Sequence, residues 1–179
     1  MNEYLPKKEK LGFTLLEVIT AIFILTVGIG GAFALLRQSL SGASMVELKV
    51  TAAYLAQEGI EIVRNIRDSN WLESRSSSVS WDDGLTNCQS PNCCEGDYKI
   101  YTSLTNVSNC NSSNLRYLNI DTNGFYSYDS GTPTKFKRKI IITPKGSDKM
   151  EVKVIVEWQE RERSHSIEVV EDLSNWYER

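Results

Sequence analysis

The residues with the clearest chemical potential lie near the start of the chain, where Gly12, Phe13 and Glu17 open a long apolar stretch. Between Phe13 and Leu36, Glu17 is the only charged residue. A carboxylate in an apolar membrane span costs about 2.5–3.5 kcal/mol at the centre of the span, less near its ends, and usually has a partner. Glu17 therefore needs either access to nearby lipid headgroups or an ion-pair partner.

The element that would position these residues is a single helix. At about 1.5 Å per residue, a helix from Phe13 to Leu36 is about 36 Å long, enough to cross a bilayer core of about 30 Å. Lys7, Lys8 and Lys10 precede this span. Because basic residues favour the cytoplasmic side, we expect a cytoplasmic start and an exported C-terminal part.

The string Lys-Leu-Gly-Phe-Thr-Leu-Leu-Glu-Val, residues 10–18, resembles the cleavage and N-methylation motif of type IV prepilins and of the pseudopilins of type II secretion. The resemblance implies that a prepilin peptidase cuts after Gly12 and methylates the new amine on Phe13. It also implies that Glu17 pairs with the Phe13 amine of a neighbouring subunit in a filament. Such a pair stabilises both charges where the dielectric constant is low.

Two other interpretations of the N-terminus remain open. The span could be an uncleaved anchor, or an ordinary signal peptidase could cut after Ala34, within the A-x-A string of residues 32–34. In either case the chain would be a membrane-anchored or secreted enzyme or binding domain that uses its N-terminus only for export. The apolar region is longer than the 7–15 residues usual in secretory signals, which favours the prepilin interpretation.

Beyond the span, apolar residues recur every three or four positions and predict that the helix continues to about Asp68. Residues 52–68 resemble the corresponding segment of minor pilins of the V type and of the minor pseudopilin I of type II secretion. We therefore expect a leader at 1–12, a membrane or filament-core helix at 13–36, an amphipathic extension at 37–72 and an exported β-rich domain at 73–179. The predicted stripe comprises Leu48, Ala52, Leu55, Ala56, Gly59, Ile62, Val63 and Ile66.

The resemblance implies a minor pilin-like subunit of a type IV pilus, with a minor pseudopilin of a type II secretion system as the alternative. The implied partners are the prepilin peptidase, other pilin or pseudopilin subunits and the inner-membrane assembly platform. The implied location is the inner membrane, with an exported C-terminal domain, and then a surface pilus or a periplasmic pseudopilus.

Alternating apolar residues predict strands in the C-terminal part of the chain. A turn at residues 145–148 should join two of them as a hairpin, and a final strand should fold back antiparallel after residues 159–163. The expected fold class is α+β, a long N-terminal helix packed on a mainly antiparallel sheet, which is also the pilin-like arrangement. The predicted strands are 98–104, 115–120, 125–128, 136–143, 150–158 and a last one around residues 165–169.

Four cysteines, Cys88, Cys93, Cys94 and Cys110, lie in the expected exported part and are candidates for disulfides. Four cysteines allow three pairings, and the sequence does not select one. A bond between the adjacent Cys93 and Cys94 would be strained, which favours two longer bridges. A zinc site is disfavoured because the spacing lacks two C-x-x-C arms.

The remaining residues offer little catalytic chemistry. His165 is the only histidine and is expected to be an exposed polar residue of the last strand. Asp121, Asn123 and Asp129 surround a turn but lack calcium-loop spacing. We therefore expect no enzyme activity, no cofactor, no metal and no small-molecule substrate. The net charge of −3 indicates no general nucleic-acid footprint, and a local DNA contact would depend on the basic run Lys135, Lys137, Arg138 and Lys139.

Overall fold

The computed structural model describes residues 12–100 and 102–176. The chain divides into two compact units, Met1–Val46 and Glu47–Arg179. One helix, α1 (Leu15–Glu73), contributes residues to both units. The predicted fold class, a long N-terminal helix with antiparallel sheets, is confirmed.

In the first unit, α1 carries mainly apolar side chains, and these are exposed. The helix is continuous through Gly28, Gly30 and Gly31, each of which has open space beside it. Within the described residues, α1 is the one helix that is long and apolar enough to cross a membrane, judged by length and composition.

In the second unit, the remainder of α1 lays its apolar stripe against a sheet. The predicted stripe is confirmed from Ala52 to Ile66, where all its members are buried, whereas Leu48 is half-buried. Gly59 marks a close approach to the sheet, since a Cβ atom there would lie 2.7 Å from Cγ1 of Val154. The helix ends at Glu73, five residues beyond the predicted end.

In the described part of the chain, eight strands follow the helix. They are β1 (Cys93–Glu95), β2 (Thr105–Val107), β3 (Asn119–Ile120), β4 (Tyr126–Ser127), β5 (Thr132–Pro133), β6 (Phe136–Pro144), β7 (Lys149–Glu160) and β8 (Arg163–Ser174). The main sheet has the order β2-β1-β6-β7-β8, and a small sheet has the order β4-β3-β5. All neighbouring strands are antiparallel.

The β6–β7–β8 meander forms the regular part of the main sheet. Alternate side chains of β6 and β7 are buried, as the period-two pattern predicts. The predicted hairpin between β6 and β7 is confirmed, with Pro144 paired to Met150. The final strand also folds back as predicted, with Glu160 paired to Arg163 across a two-residue turn.

The strand predicted at 98–104 is wrong. Residues 98–100 and 102–104 form turns and irregular backbone, and the paired strand begins only at Thr105. Asp97 explains the difference, because its Oδ1 accepts the Lys99 N–H at 3.0 Å and its carbonyl accepts the Ile100 N–H at 3.0 Å. These two bonds turn the chain where the alternating pattern predicts extension.

The predictions at 115–120 and 125–128 were too long, since β3 and β4 contain two residues each. β1 was not predicted, because the residues before position 98 show no clear alternation. A three-residue strand is too short to show a period in sequence.

Two disulfides hold β1 to its surroundings. One joins Cys88 to Cys94, and the other joins Cys93 to Cys110. Cys88, Cys93 and Cys94 are fully buried. The adjacent residues Cys93 and Cys94 thus belong to two different disulfides, as the expected strain of a bond between them favoured.

The core of the second unit contains a charged residue, Arg138 of β6, which is fully buried. Its Nη1 donates to the Leu55 carbonyl at 2.9 Å and its Nη2 donates to the Gly96 carbonyl at 2.5 Å. Glu58 of α1 approaches Nη1 at 3.4 Å. One guanidinium therefore connects α1, β6 and the backbone just after β1.

Candidate processing and assembly site

The candidate processing site lies immediately before α1. Gly12, Phe13 and Thr14 are non-helical, and the helix begins at Leu15. The Phe13 side chain is 82% exposed, and Gly12 has open space around it. The peptide bond between Gly12 and Phe13 therefore lies outside the helix, at an exposed position that a peptidase can reach.

Thr14 is the N-cap of α1. Its Oγ1 accepts the N–H of Glu17 at 3.3 Å, which satisfies one of the amides left unpaired at a helix start. No role was predicted for Thr14. The signal was nevertheless present, since Thr14-Leu-Leu-Glu17 has the S/T-x-x-E spacing of a capping box.

Glu17 lies in the first turn of α1 and is exposed. The partial positive charge at a helix N-terminus favours a carboxylate there. Among the described residues, no side chain forms an ion pair or hydrogen bond with the Glu17 carboxylate. The group is thus placed within a few residues of Phe13 and is available to a cation from another chain.

The cysteines lie in the second unit and form the disulfides described above, separate from Gly12, Phe13 and Glu17. Burial and bonding to β1 indicate that they stabilise the sheet.

The basic run in β6 does not form a continuous basic surface. Lys135 pairs with Glu160 at 2.6 Å, and Lys139 pairs with Glu157 at 2.5 Å. Arg138 is buried, on the opposite face of β6 from Lys137 and Lys139. This arrangement gives no support to a DNA contact.

The acidic turn at residues 121–129 is occupied by internal hydrogen bonds. Asp121 Oδ1 accepts the N–H groups of Asn123 at 2.8 Å and Phe125 at 3.0 Å, and its Oδ2 accepts the Tyr98 hydroxyl at 2.8 Å. The Phe125 N–H, followed by the Tyr98 hydroxyl, lowers the pKa of Asp121. These bonds identify Asp121 as a turn-stabilising residue.

His165 is half-buried, so the prediction of an exposed side chain is wrong. Its ring stacks on that of Trp158, with ring centroids 5.5 Å apart. In the part of the chain that the structure describes, no group of three or more His, Cys, Asp or Glu residues is arranged for a metal ion.

Comparison with known proteins adds one match to this geometry. Residues 7–33 match the family described as "Prokaryotic N-terminal methylation motif". No curated protein and no solved structure matches the chain significantly.

The match and the long apolar helix show that the chain carries a type IV prepilin-like cleavage and methylation signal. The signal supports a type IV pilin-like or pseudopilin protein. Proteins with this signal are typically structural subunits, processed by a prepilin peptidase and assembled with other pilin subunits. The apolar helix with this signal suggests membrane anchoring with the C-terminal domain outside.

Proposed function

We propose that this protein is a minor pilin-like subunit of a type IV pilus, cleaved after Gly12 and N-methylated on Phe13. The observation that carries the proposal is the methylation motif at residues 7–33 together with the exposed backbone at its cleavage point. Cleavage leaves Phe13 as the first residue, directly before the Thr14 cap.

The assembly step in this proposal depends on Glu17 and on the exposed apolar surface of α1. Burial of that surface among neighbouring helices supplies most of the cohesion of the filament. The Glu17 carboxylate of one subunit pairs with the Phe13 amine of the next, which makes the charge tolerable in an apolar environment. The disulfide-bonded domain is displayed outside.

A minor pseudopilin of a type II secretion system is the alternative within the same class. A minor pseudopilin has the same processing signal and apolar helix as a minor pilin. The two kinds of subunit differ in the machine that assembles them. Deletion of the pilus assembly platform or of the secretion platform, in separate strains, identifies which one the subunit requires.

The first test is intact-mass and N-terminal analysis of the protein matured in cells that contain prepilin peptidase. We expect an N-methylated Phe13 as the first residue, and an uncut chain in cells that lack the peptidase. A first residue of Leu35, or an intact Met1 in the presence of the peptidase, contradicts the proposal. Those outcomes indicate a chain that uses its N-terminus only for export.

A further inference from the structure

A polar cleft of about 310 Å³ lies on the main sheet at the end that holds Trp158 and His165, which are among its lining residues. Its floor comes from residues paired across three strands: Lys137 opposite Glu157, Glu157 opposite Ser166, and Gln159 opposite Ser164. Side chains alternate along a strand, so these residues share a face that Trp158 does not. Ser112 and Tyr117, from the chain before β3, complete the wall.

One positive charge in the polar cleft has no carboxylate partner. Lys135 is paired with Glu160 and Lys139 with Glu157, as described above. Lys137 Nζ instead donates to the Ser112 carbonyl at 2.5 Å, and within the described residues it has no carboxylate oxygen within 4 Å. The three lysines at the cleft, Lys135, Lys137 and Lys139, therefore face two carboxylates, Glu157 and Glu160, which leaves one net positive charge.

The carboxylate of Glu157 attracts Lys137, whose charge helps to lower the pKa of Glu157, but this carboxylate is shared with Lys139. It accepts hydrogen bonds from Lys139 and from the Ser112 hydroxyl. Desolvation acts to raise the pKa of Glu157, but these hydrogen bonds lower it overall. The carboxylate is therefore ionised at neutral pH, with Lys139 as its counter-ion.

The floor also offers hydrogen-bonding groups that the protein does not use. Over the described residues, the side chains of Gln159, Ser164 and Ser166 form no hydrogen bond with another protein group. They are exposed and lie in two adjacent cross-strand rows. Two hydroxyls and an amide can each donate and accept, which suits a ligand rich in hydroxyl groups.

The wall supplies an aromatic surface. The Tyr117 side chain is 51% exposed, and Lys137 Nζ lies 4.4 Å from its ring centroid. The ammonium group thus lies over one face of the aromatic ring. An aromatic surface beside convergent polar groups is the usual composition of a small-molecule site, and the volume falls at the lower end of the usual range of about 300–1,000 Å³.

We propose that the polar cleft binds an acidic saccharide, a sugar that carries one carboxylate. The carboxylate pairs with Lys137, the apolar face of the sugar ring packs on Tyr117, and the sugar hydroxyls bond to Gln159, Ser164 and Ser166. The single uncompensated charge selects a ligand with one negative charge over a neutral sugar. The inference goes beyond filament assembly, since the cleft lies entirely within the second unit.

The test is isothermal titration calorimetry of the full chain in detergent micelles. The titrants are glucuronate, galacturonate and N-acetylneuraminate, with glucose and galactose as neutral counterparts and inorganic phosphate as a separate anion. We expect at least one carboxylated sugar to bind, with its neutral counterpart and phosphate each at least tenfold weaker. A hydrogen bond to a charged group is commonly worth that factor or more.

Lys137→Gln should weaken binding of the carboxylated sugar at least tenfold, and Ser166→Ala should weaken it about threefold. Lys149→Gln is the matched control, because it removes one charge from an exposed position of the same sheet, and it should leave affinity unchanged. The proposal is overturned if no carboxylated sugar binds, if the neutral counterpart binds equally well, or if Lys149→Gln weakens binding as much as Lys137→Gln. Phosphate binding as tight as that of the sugar also overturns it, since that result indicates a general anion site.

Discussion

Among single residues, Arg138 is a charged side chain that is fully buried. A buried charge is costly unless hydrogen bonds and a counter-charge satisfy it. Here the backbone carbonyls of Leu55 and Gly96 and the carboxylate of Glu58 meet most of that requirement, while Arg138 Nε and Glu58 Oε1 are buried without a hydrogen-bond partner among the described residues. Arg138 lies on the same buried face of β6 as Phe136, Ile140 and Ile142. The carbonyls that satisfy Arg138 belong to distant segments, and no local pattern encodes them.

Arg138→Met should lower the free energy of unfolding by about 3–5 kcal/mol, the usual effect of breaking a buried ion pair. The reason is that Glu58 and two carbonyls lose their partner. Urea denaturation followed by tryptophan fluorescence measures the change. Lys149→Met, at an exposed position of β7, is the control and should change stability by less than about 0.5 kcal/mol. Equal effects of the two substitutions would show that the guanidinium is not an anchor.

Asp121 should make stability depend on acid pH. Hydrogen bonds lower its pKa in the folded chain, so its contribution is fully present above the unfolded pKa of about 3.9 and disappears as pH falls through the folded pKa. The difference in unfolding free energy between the unmodified chain and Asp121→Asn should be constant from pH 7 to pH 5 and shrink below about pH 4. Chemical denaturation at each pH measures it. Asp83→Asn, where the side chain makes no hydrogen bond with described groups, should show no such change.

At the level of elements, the helix and the meander were predictable, because each contains a long run with one period. The stripe on α1 repeats every three or four residues, and β6 and β7 repeat every two. Of the short strands, β3 and β4 were predicted but too long, and β1, β2 and β5 were not predicted, since two or three residues carry no period and their pairing partners are distant. Asp97 shows a second reason why strand prediction fails. The Asp97 side chain accepts a hydrogen bond from the Lys99 N–H, and the chain turns where the alternating pattern predicts a strand.

Gly59 is required by the packing of α1 on the sheet. Alanine is favoured over glycine in a helix by about 1 kcal/mol, yet its Cβ atom at this position would lie 2.7 Å from Val154. We expect Gly59→Ala to lower the free energy of unfolding by about 1–3 kcal/mol, the usual range for overpacking. Gly42→Ala is the matched control in the same helix, at a position with open space, and should not destabilise. Thermal denaturation of both variants tests the sign, and stabilisation by Gly59→Ala would contradict the close approach.

At the level of the whole molecule, the sequence contained most of what the proposed function rests on. The processing motif is a local string and was recognised residue by residue, including Gly12, Phe13 and Glu17. The pairing of the four cysteines was not determined, because it depends on how β1 enters the sheet. The polar cleft was not predicted either, since its members are 54 residues apart at the extremes and meet only through strand pairing.

Glu17→Gln should leave cleavage after Gly12 intact but block incorporation into filaments. Loss of a buried ion pair costs about 3–5 kcal/mol, which corresponds to more than a hundredfold in assembly equilibrium. Immunoblots of the sheared filament fraction and of the membrane fraction measure the two steps separately. Glu47→Gln, on the same helix outside the apolar span, should assemble normally. Normal incorporation of the Glu17→Gln chain would exclude the proposed pairing.

The two disulfides have a mechanical consequence for a subunit that is pulled. Without them, residues 88–110 could extend to about 75 Å under tension. With them, the load passes from Cys88 to Cys94, along one peptide unit to Cys93, and on to Cys110. The Cα–Cα distances of 5.1 and 5.4 Å, plus about 3.8 Å for the peptide unit, make this path about 14 Å long. The two disulfides thus shorten the extensible length of residues 88–110 by about 60 Å. Under tension, the oxidised domain transmits force through this region almost without lengthening.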